Sequence, residues 1–94
     1  MAARYDRRVS SDRAVPQVLM FSRRTCGLCD KARAVVLAER QRTPFEFDEV
    51  WIDGDEALED SHGLRVPVVE IDGVEEFETF VDPVRFRYLV GGRN

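Results

Sequence analysis

Histidine and tryptophan each occur once in this 94-residue chain, at His62 and Trp51, and cysteine occurs only twice. A structural zinc site takes four Cys, His or carboxylate ligands. The pair Cys26 and Cys29 leaves only His62 as a good third, so an intrachain metal site is not expected. Neither sign of charge dominates: 18 acidic residues against 14 basic ones leave a net charge of −4, which argues against nonspecific nucleic-acid binding as the main role. Long hydrophobic runs are missing, and Arg7-Arg8 is followed by polar residues rather than by an apolar segment, so neither a membrane span nor an export signal is read. The location expected on that basis is the reducing cytoplasm, where two cysteines point to catalysis or metal rather than to a structural staple. No phosphate loop, Ser-His-Asp set or alternating aromatic and basic pattern is present, and the acidic stretch from Asp48 to Asp60 does not have the spacing of an EF-hand. It reads as a solvated face.

What is there begins with Arg23-Arg24-Thr25-Cys26-Gly27-Leu28-Cys29-Asp30. A short apolar run, Val18-Leu19-Met20-Phe21, precedes it and a segment of helical periodicity follows. A Cys-x-x-Cys at a strand-to-helix turn suits dithiol chemistry. The first cysteine falls where unpaired backbone N–H groups and the helix dipole favour a thiolate. A free thiol titrates near ~8.5, and a helix N-terminus with cationic neighbours lowers that value by one to several units. Arg23 and Arg24 are candidate neighbours of this kind. Cys29 lies one helical turn on, close enough for its sulfur to reach the first. Cys26 is therefore the expected nucleophile and Cys29 the expected resolving thiol.

The rest of the chain supplies the frame. Residues 1–15 hold four arginines against two aspartates and lack periodicity. They are expected to be a flexible arm ahead of a single domain at residues 16–94. Strands are predicted over Gln17–Phe21 and Phe45–Ile52. Between them Leu28, Ala32, Val35, Val36 and Glu39 form the stripe of an amphipathic helix ending near residues 40–42, with Glu39 its one polar member. Asp55 is a candidate cap for a short helix to His62, stopped by Gly63. Val68–Ile71 and Val74–Phe80 read as a hairpin about Asp72-Gly73. Asp82-Pro83 marks the start of a last helix, with Val84, Tyr88 and Leu89 inward and Gly91-Gly92 at its end. Trp51 and the phenylalanines are expected in the core, and His62 at a solvated helix end. The order is β-α-β-α-β-β-α, an α/β chain whose first two strands should run parallel.

Phe21-Ser22-Arg23, Cys26-Gly27-Leu28-Cys29-Asp30, Arg65-Val66-Pro67-Val68 and Ile71-Asp72-Gly73, in this order and spacing, resemble the glutaredoxin side of the thioredoxin-like superfamily. The likeness is to small bacterial glutaredoxin-like proteins with a Cys-x-Leu-Cys-Asp site, and it spans about residues 17–90. It implies a four-stranded mixed sheet flanked by three helices and a cis Val66-Pro67 bond facing Cys26. It also implies thiol-disulfide exchange on a protein or small-thiol disulfide, by a monomer with no cofactor beyond the Cys26–Cys29 pair. Glutathione or another small thiol would be the reductant. Val66 and Pro67 would form the substrate platform, with Arg65 and Asp82 available to a small charged thiol. The chain differs from glutaredoxins in having Gly27-Leu28 for their Pro-Tyr, and Phe80-Val81 where a Gly-Gly precedes the aspartate. Two other readings stay open: a binding module of the same fold with sensing or idle cysteines, and a metal or cluster carrier bridging two chains.

Overall fold

Apolar residues at every position from Val18 to Phe21 give β1, Gln17–Ser22, the means to be covered on both faces. It lies inside a four-stranded sheet, parallel to β2 (Glu46–Trp51) on one side and antiparallel to β3 (Val68–Ile71) on the other. A parallel neighbour requires a crossover, and helix α1, Gly27–Arg40, provides it. A second helix, α2 (Glu56–His62), leads to β3; β4 (Val74–Glu78) returns antiparallel along its outer edge. The last helix, α3 (Pro83–Arg87), widens into a π-helical turn over Tyr88–Gly92. The computed structural model describes residues 15–92. The arm predicted for residues 1–15 lies, apart from Val15, outside the described residues. The architecture is the predicted mixed sheet with three helices.

Local chemistry sets most boundaries. Asp55 and Asp82 cap α2 and α3 by accepting the N–H groups of Leu58 and Arg85, at 3.1 and 2.9 Å. Asp72 and Gly73 take left-handed φ values of 52° and 85°, which a two-residue hairpin turn demands. Val18 and Met20 of β1 meet Ala32 and Val36 of α1 and Phe86 of α3 in the main core. Phe21, on the other face of the strand by period-two alternation, packs with Leu58 of α2 against Cys29, Ile52 and Val66.

Several expectations are corrected. Strand β4 stops at Glu78, not Phe80, because Thr79 turns the backbone left-handed (φ 71°). Phe80 is consequently exposed, whereas Phe45, Phe77 and Phe86 do enter the core and Phe21 and Phe47 are half-buried. Val84 and Tyr88, read as inward, face solvent. Phe86, Leu89 and Val90 turn inward instead, with the Phe86 ring edge-on to Phe45 at 5.6 Å. Gly91 and Gly92 belong to the π-helical turn rather than ending a helix at Val90. Trp51 sits half-buried at the sheet edge beneath the guanidinium groups of Arg24 and Arg33, at 4.9 and 5.3 Å from the ring centre. Gly63 follows α2 in right-handed geometry, φ −55°.

Glu39, the polar exception in the α1 stripe, is only 5% exposed. Its carboxylate accepts from Thr43 Oγ1 at 2.6 Å and Arg87 Nε at 3.1 Å, with Arg42 Nε at 3.6 Å. It thereby ties the end of α1 to α3. Burial pushes its pKa up, but the hydrogen bonds from Thr43 and Arg87 and the charges of Arg87 and Arg42 outweigh this and hold it below the ordinary carboxylate range. A depressed folded-state pKa contributes stability above the unfolded value and loses it as pH falls through the folded one. Glu39→Gln is therefore expected to cost about 1.5 kcal/mol or more at pH 7. In urea titrations the gap to the native chain should narrow as pH drops below about 4.

Candidate active site

Four residues past the end of β1 the chain reaches Cys26 in an extended conformation (φ −154°, ψ 106°), and α1 begins at the next residue. The side chain that caps this helix is the cysteine itself: Cys26 Sγ accepts the N–H of Cys29 at 3.0 Å. The Cys26 carbonyl accepts the N–H of Asp30 at 3.1 Å. The sulfurs of Cys26 and Cys29 are in disulfide contact, their Cα atoms 5.2 Å apart. Their surroundings differ sharply. Cys26 is partly exposed beside Gly27, where open space surrounds the backbone, while Cys29 has no exposed surface and lies against Ile52 and Val66. Only the first sulfur is open to a bulky partner.

Val66 packs beside the pair. The Val66-Pro67 bond is cis, as expected, and Val66 belongs to the apolar cluster that includes both cysteines. Thr79 N–H donates to the carbonyls of Arg65 and Pro67, at 2.9 and 2.7 Å, which holds this segment from both sides. Neither the N–H nor the C=O of Val66 has a hydrogen-bond partner among the described residues.

Of the predicted site residues, Cys26, Cys29 and Val66 come together, with Pro67 buried next to Val66 across the cis bond; the charged ones have partners of their own. Arg23 donates from Nε to the Gly63 carbonyl at 3.3 Å and stands 4.0 Å from Glu59, tying α2 to the turn before Cys26. Arg24 gives its backbone N–H to Asp53 at 3.1 Å and lays its guanidinium over Trp51. Arg65 donates to Glu78, Glu75 and the Ser61 carbonyl, and its hydrogen bond to Glu78, then that to Glu75, raises its pKa. Asp82 caps α3.

One pair escapes sequence reasoning. Arg33, four residues after Cys29, grips Glu49 of β2 with three donor–acceptor contacts of 2.6–3.1 Å and reaches Asp30 at 2.8 Å. Glu49 stands opposite Met20 in the β1–β2 register. Burial pushes the Glu49 carboxyl up, but Arg33 and the nearby Ser22 hydroxyl bring it below the ordinary range. Ser22 Oγ, wholly buried, approaches Glu49 without closing a hydrogen bond. The only signal in the sequence is the one-turn spacing of Arg33 from Cys29. His62, expected in solvent, is half-buried with its ring 4.3 Å from that of Phe21. Among the described residues no group of three or more His, Cys, Asp or Glu converges on one point, and no helix is long and apolar enough to cross a membrane.

Comparison with known proteins agrees with this geometry. The sequence matches the glutaredoxin-like domain family (DUF836) over residues 17–88. No curated protein sequence matches. Among solved structures, the chain is similar to target protein XcR50 from X. campestris, with 38% identity over 77% of this chain and 92% of that one, at a TM-score of 0.62. Protein Ne2328 from Nitrosomonas europaea shares the fold at a TM-score of 0.70 and 24% identity, over 82% of this chain and 93% of its own. Oxidised thioredoxin O2 from Arabidopsis thaliana is similar at a TM-score of 0.58 and 26% identity, over 93% and 84% of the two chains.

The contact between Arg23 and α2 depends on a missing side chain. A Cβ at Gly63 would stand 2.6 Å from Arg23 Nη2 and collide with the Glu59 carbonyl. Gly63→Ala is expected to displace Arg23 and to destabilise the fold by about 1–3 kcal/mol. The urea midpoint should fall at an unchanged slope.

Proposed function

The chain belongs to the glutaredoxin-like domain family (DUF836), and from that membership we propose that it is a dithiol oxidoreductase, reducing disulfides through Cys26 and Cys29. The observation that carries this reading is the sulfur of Cys26 capping α1. A helix N-terminus presents N–H groups without partners of their own and a positive dipole end, and a thiolate answers both better than a neutral thiol.

In the reduced protein the Cys26 thiolate attacks one sulfur of a substrate R–S–S–R′. A Cys26–S–S–R bond forms and R′–S⁻ departs. Cys29 passes its proton to the departing thiolate and attacks Cys26 Sγ, which expels R–S⁻ and closes the Cys26–Cys29 bridge. Two electrons have moved from the dithiol to the substrate. Two small thiols, glutathione or another, or one protein dithiol, then return the bridge to the reduced state. The burial of Cys29 suits a resolving thiol, hidden from foreign disulfides yet beside the one bond it must break. The unpartnered N–H and C=O of Val66 suit an extended substrate segment, which needs an acceptor and a donor for its own backbone. A dithiol kept ready for this work belongs in a reducing compartment, and we assign it to the cytoplasm.

Cys26→Ser is expected to abolish turnover of a peptide disulfide, while Cys29→Ser should stop at a mixed disulfide visible by mass spectrometry. Alkylation of Cys26 in the Cys29→Ser chain should show a midpoint at least about one pH unit below the free-thiol value of ~8.5. A midpoint at the free value, with equal residual turnover in both variants, would instead favour a binding module with idle cysteines.

A further inference from the structure

Beside the reactive turn lies a shallow groove between α1 and the segment that follows β4. Leu28, Lys31 and Val35 line one wall, and Thr79, Phe80 and Val81 the other. Leu28 is 46% exposed and Phe80 65%, large apolar side chains left in water on the two lips. The position of Phe80 is enforced. Thr79 before it is left-handed, and its N–H is fixed to the carbonyls flanking Val66. Val81 after it is buried in the core. The Phe80 N–H itself is taken by the Glu78 carbonyl at 2.7 Å, so the ring is held outward by a backbone anchored on both sides.

We propose that this groove seats a bulky apolar side chain neighbouring the cysteine of a disulfide-bearing protein substrate, with an acidic residue of that substrate meeting Lys31. The proposal rests on the oxidoreductase reading above and names the class of substrate for it.

Three observations select this occupant. The groove measures about 40 Å³, room for roughly three water-sized groups at ~10–15 Å³ each. That accommodates the tip of a leucine or methionine side chain. Its lining carries one charge, Lys31, which is exposed and forms no ion pair among the described residues. An acidic neighbour is therefore favoured over a basic one. The groove also shares its framework with the reactive pair. Leu28 lies between the two cysteines in sequence, and Thr79 is hydrogen-bonded to the residues on either side of Val66. A substrate strand on the free Val66 backbone would thus run beside Leu28 and Phe80.

The test uses synthetic peptides whose single cysteine is blocked as a disulfide with mercaptoethanol. Leu or Ala is placed at each of the two positions on either side of it, and Asp or Lys next to the Leu. The reading is the ratio of kcat/KM within each peptide pair. The native chain should favour Leu over Ala by about tenfold at one position, the low end for an apolar contact of this size. Phe80→Ala should bring that ratio near unity, and Lys31→Glu should reverse the preference for Asp over Lys. Val74→Ala, an exposed apolar residue at the hairpin, should leave both ratios as they were. No preference at any position, or a preference that survives Phe80→Ala, overturns the subsite while leaving the oxidoreductase reading intact. Self-association of the native chain that Phe80→Ala abolishes would make a second copy the occupant and overturn the proposal. A native chain that reduces neither the peptides nor mercaptoethanol disulfide overturns the oxidoreductase reading and the subsite with it.

Discussion

The hydrogen bond from Cys29 N–H to Cys26 Sγ joins the fold to its chemistry. Most helices begin with an oxygen side chain that accepts from the first turn. Here the acceptor is sulfur, so the group that completes the helix is also the group exposed for reaction. Charge on this sulfur is stabilised by the same N–H groups that need a partner for structural reasons. Whatever stabilises a thiolate at such a position also favours the dithiol over the disulfide, which makes the bridge easier to reduce.

That arrangement makes demands on the rest of the molecule. The N-terminus of α1 must be held at the end of β1, an inner strand paired on both sides. The helix is fixed along its length by Ala32 and Val36 in the main core and at its far end by Glu39, which joins it to α3 through Arg87. Near the reactive end, Arg33 and Glu49 connect it to β2. Cys29 is thus locked by its own turn, by the ion pair one turn on, and by Ile52 and Val66 above the sheet end. Rigidity of the second sulfur would serve the proposed exchange, which requires it to meet a bond formed on the first.

The parts of this design that are legible in the sequence are those decided by neighbours along the chain. The Cys-x-x-Cys turn, the caps at Asp55 and Asp82 and the Asp72-Gly73 hairpin each depend on a few consecutive residues, and each stands where expected. The resemblance to glutaredoxin-like proteins adds the sheet topology and the cis bond. What escapes depends on residues far apart in sequence. Val84 and Phe86 are both apolar, and only the packing of Phe86 on Phe45 and Phe77 decides which turns inward. Glu39 reads as a flaw in an apolar stripe because Arg87, 48 residues away, supplies its partner. Phe80 reads as the end of a strand because nothing local announces a left-handed threonine.

The arginines show the same limit in a form that bears on mechanism. Arg23 and Arg24 adjoin Cys26 in sequence, and proximity alone suggests that they set its charge state. Their guanidinium groups are instead held by Gly63 and Glu59 and by the Trp51 ring. Arg65, next to Val66, faces Glu75 and Glu78. The side-chain charges flanking the pair thus have partners of their own, and the contact to Cys26 Sγ that the structure does show is the Cys29 N–H at the start of α1. A site built this way depends on backbone geometry more than on the identity of residues between the cysteines, which accords with Gly27-Leu28 standing where glutaredoxins carry Pro-Tyr. On the proposed reading, selectivity falls to the surfaces around the sulfur, where Phe80-Val81 stand in place of the Gly-Gly of glutaredoxins.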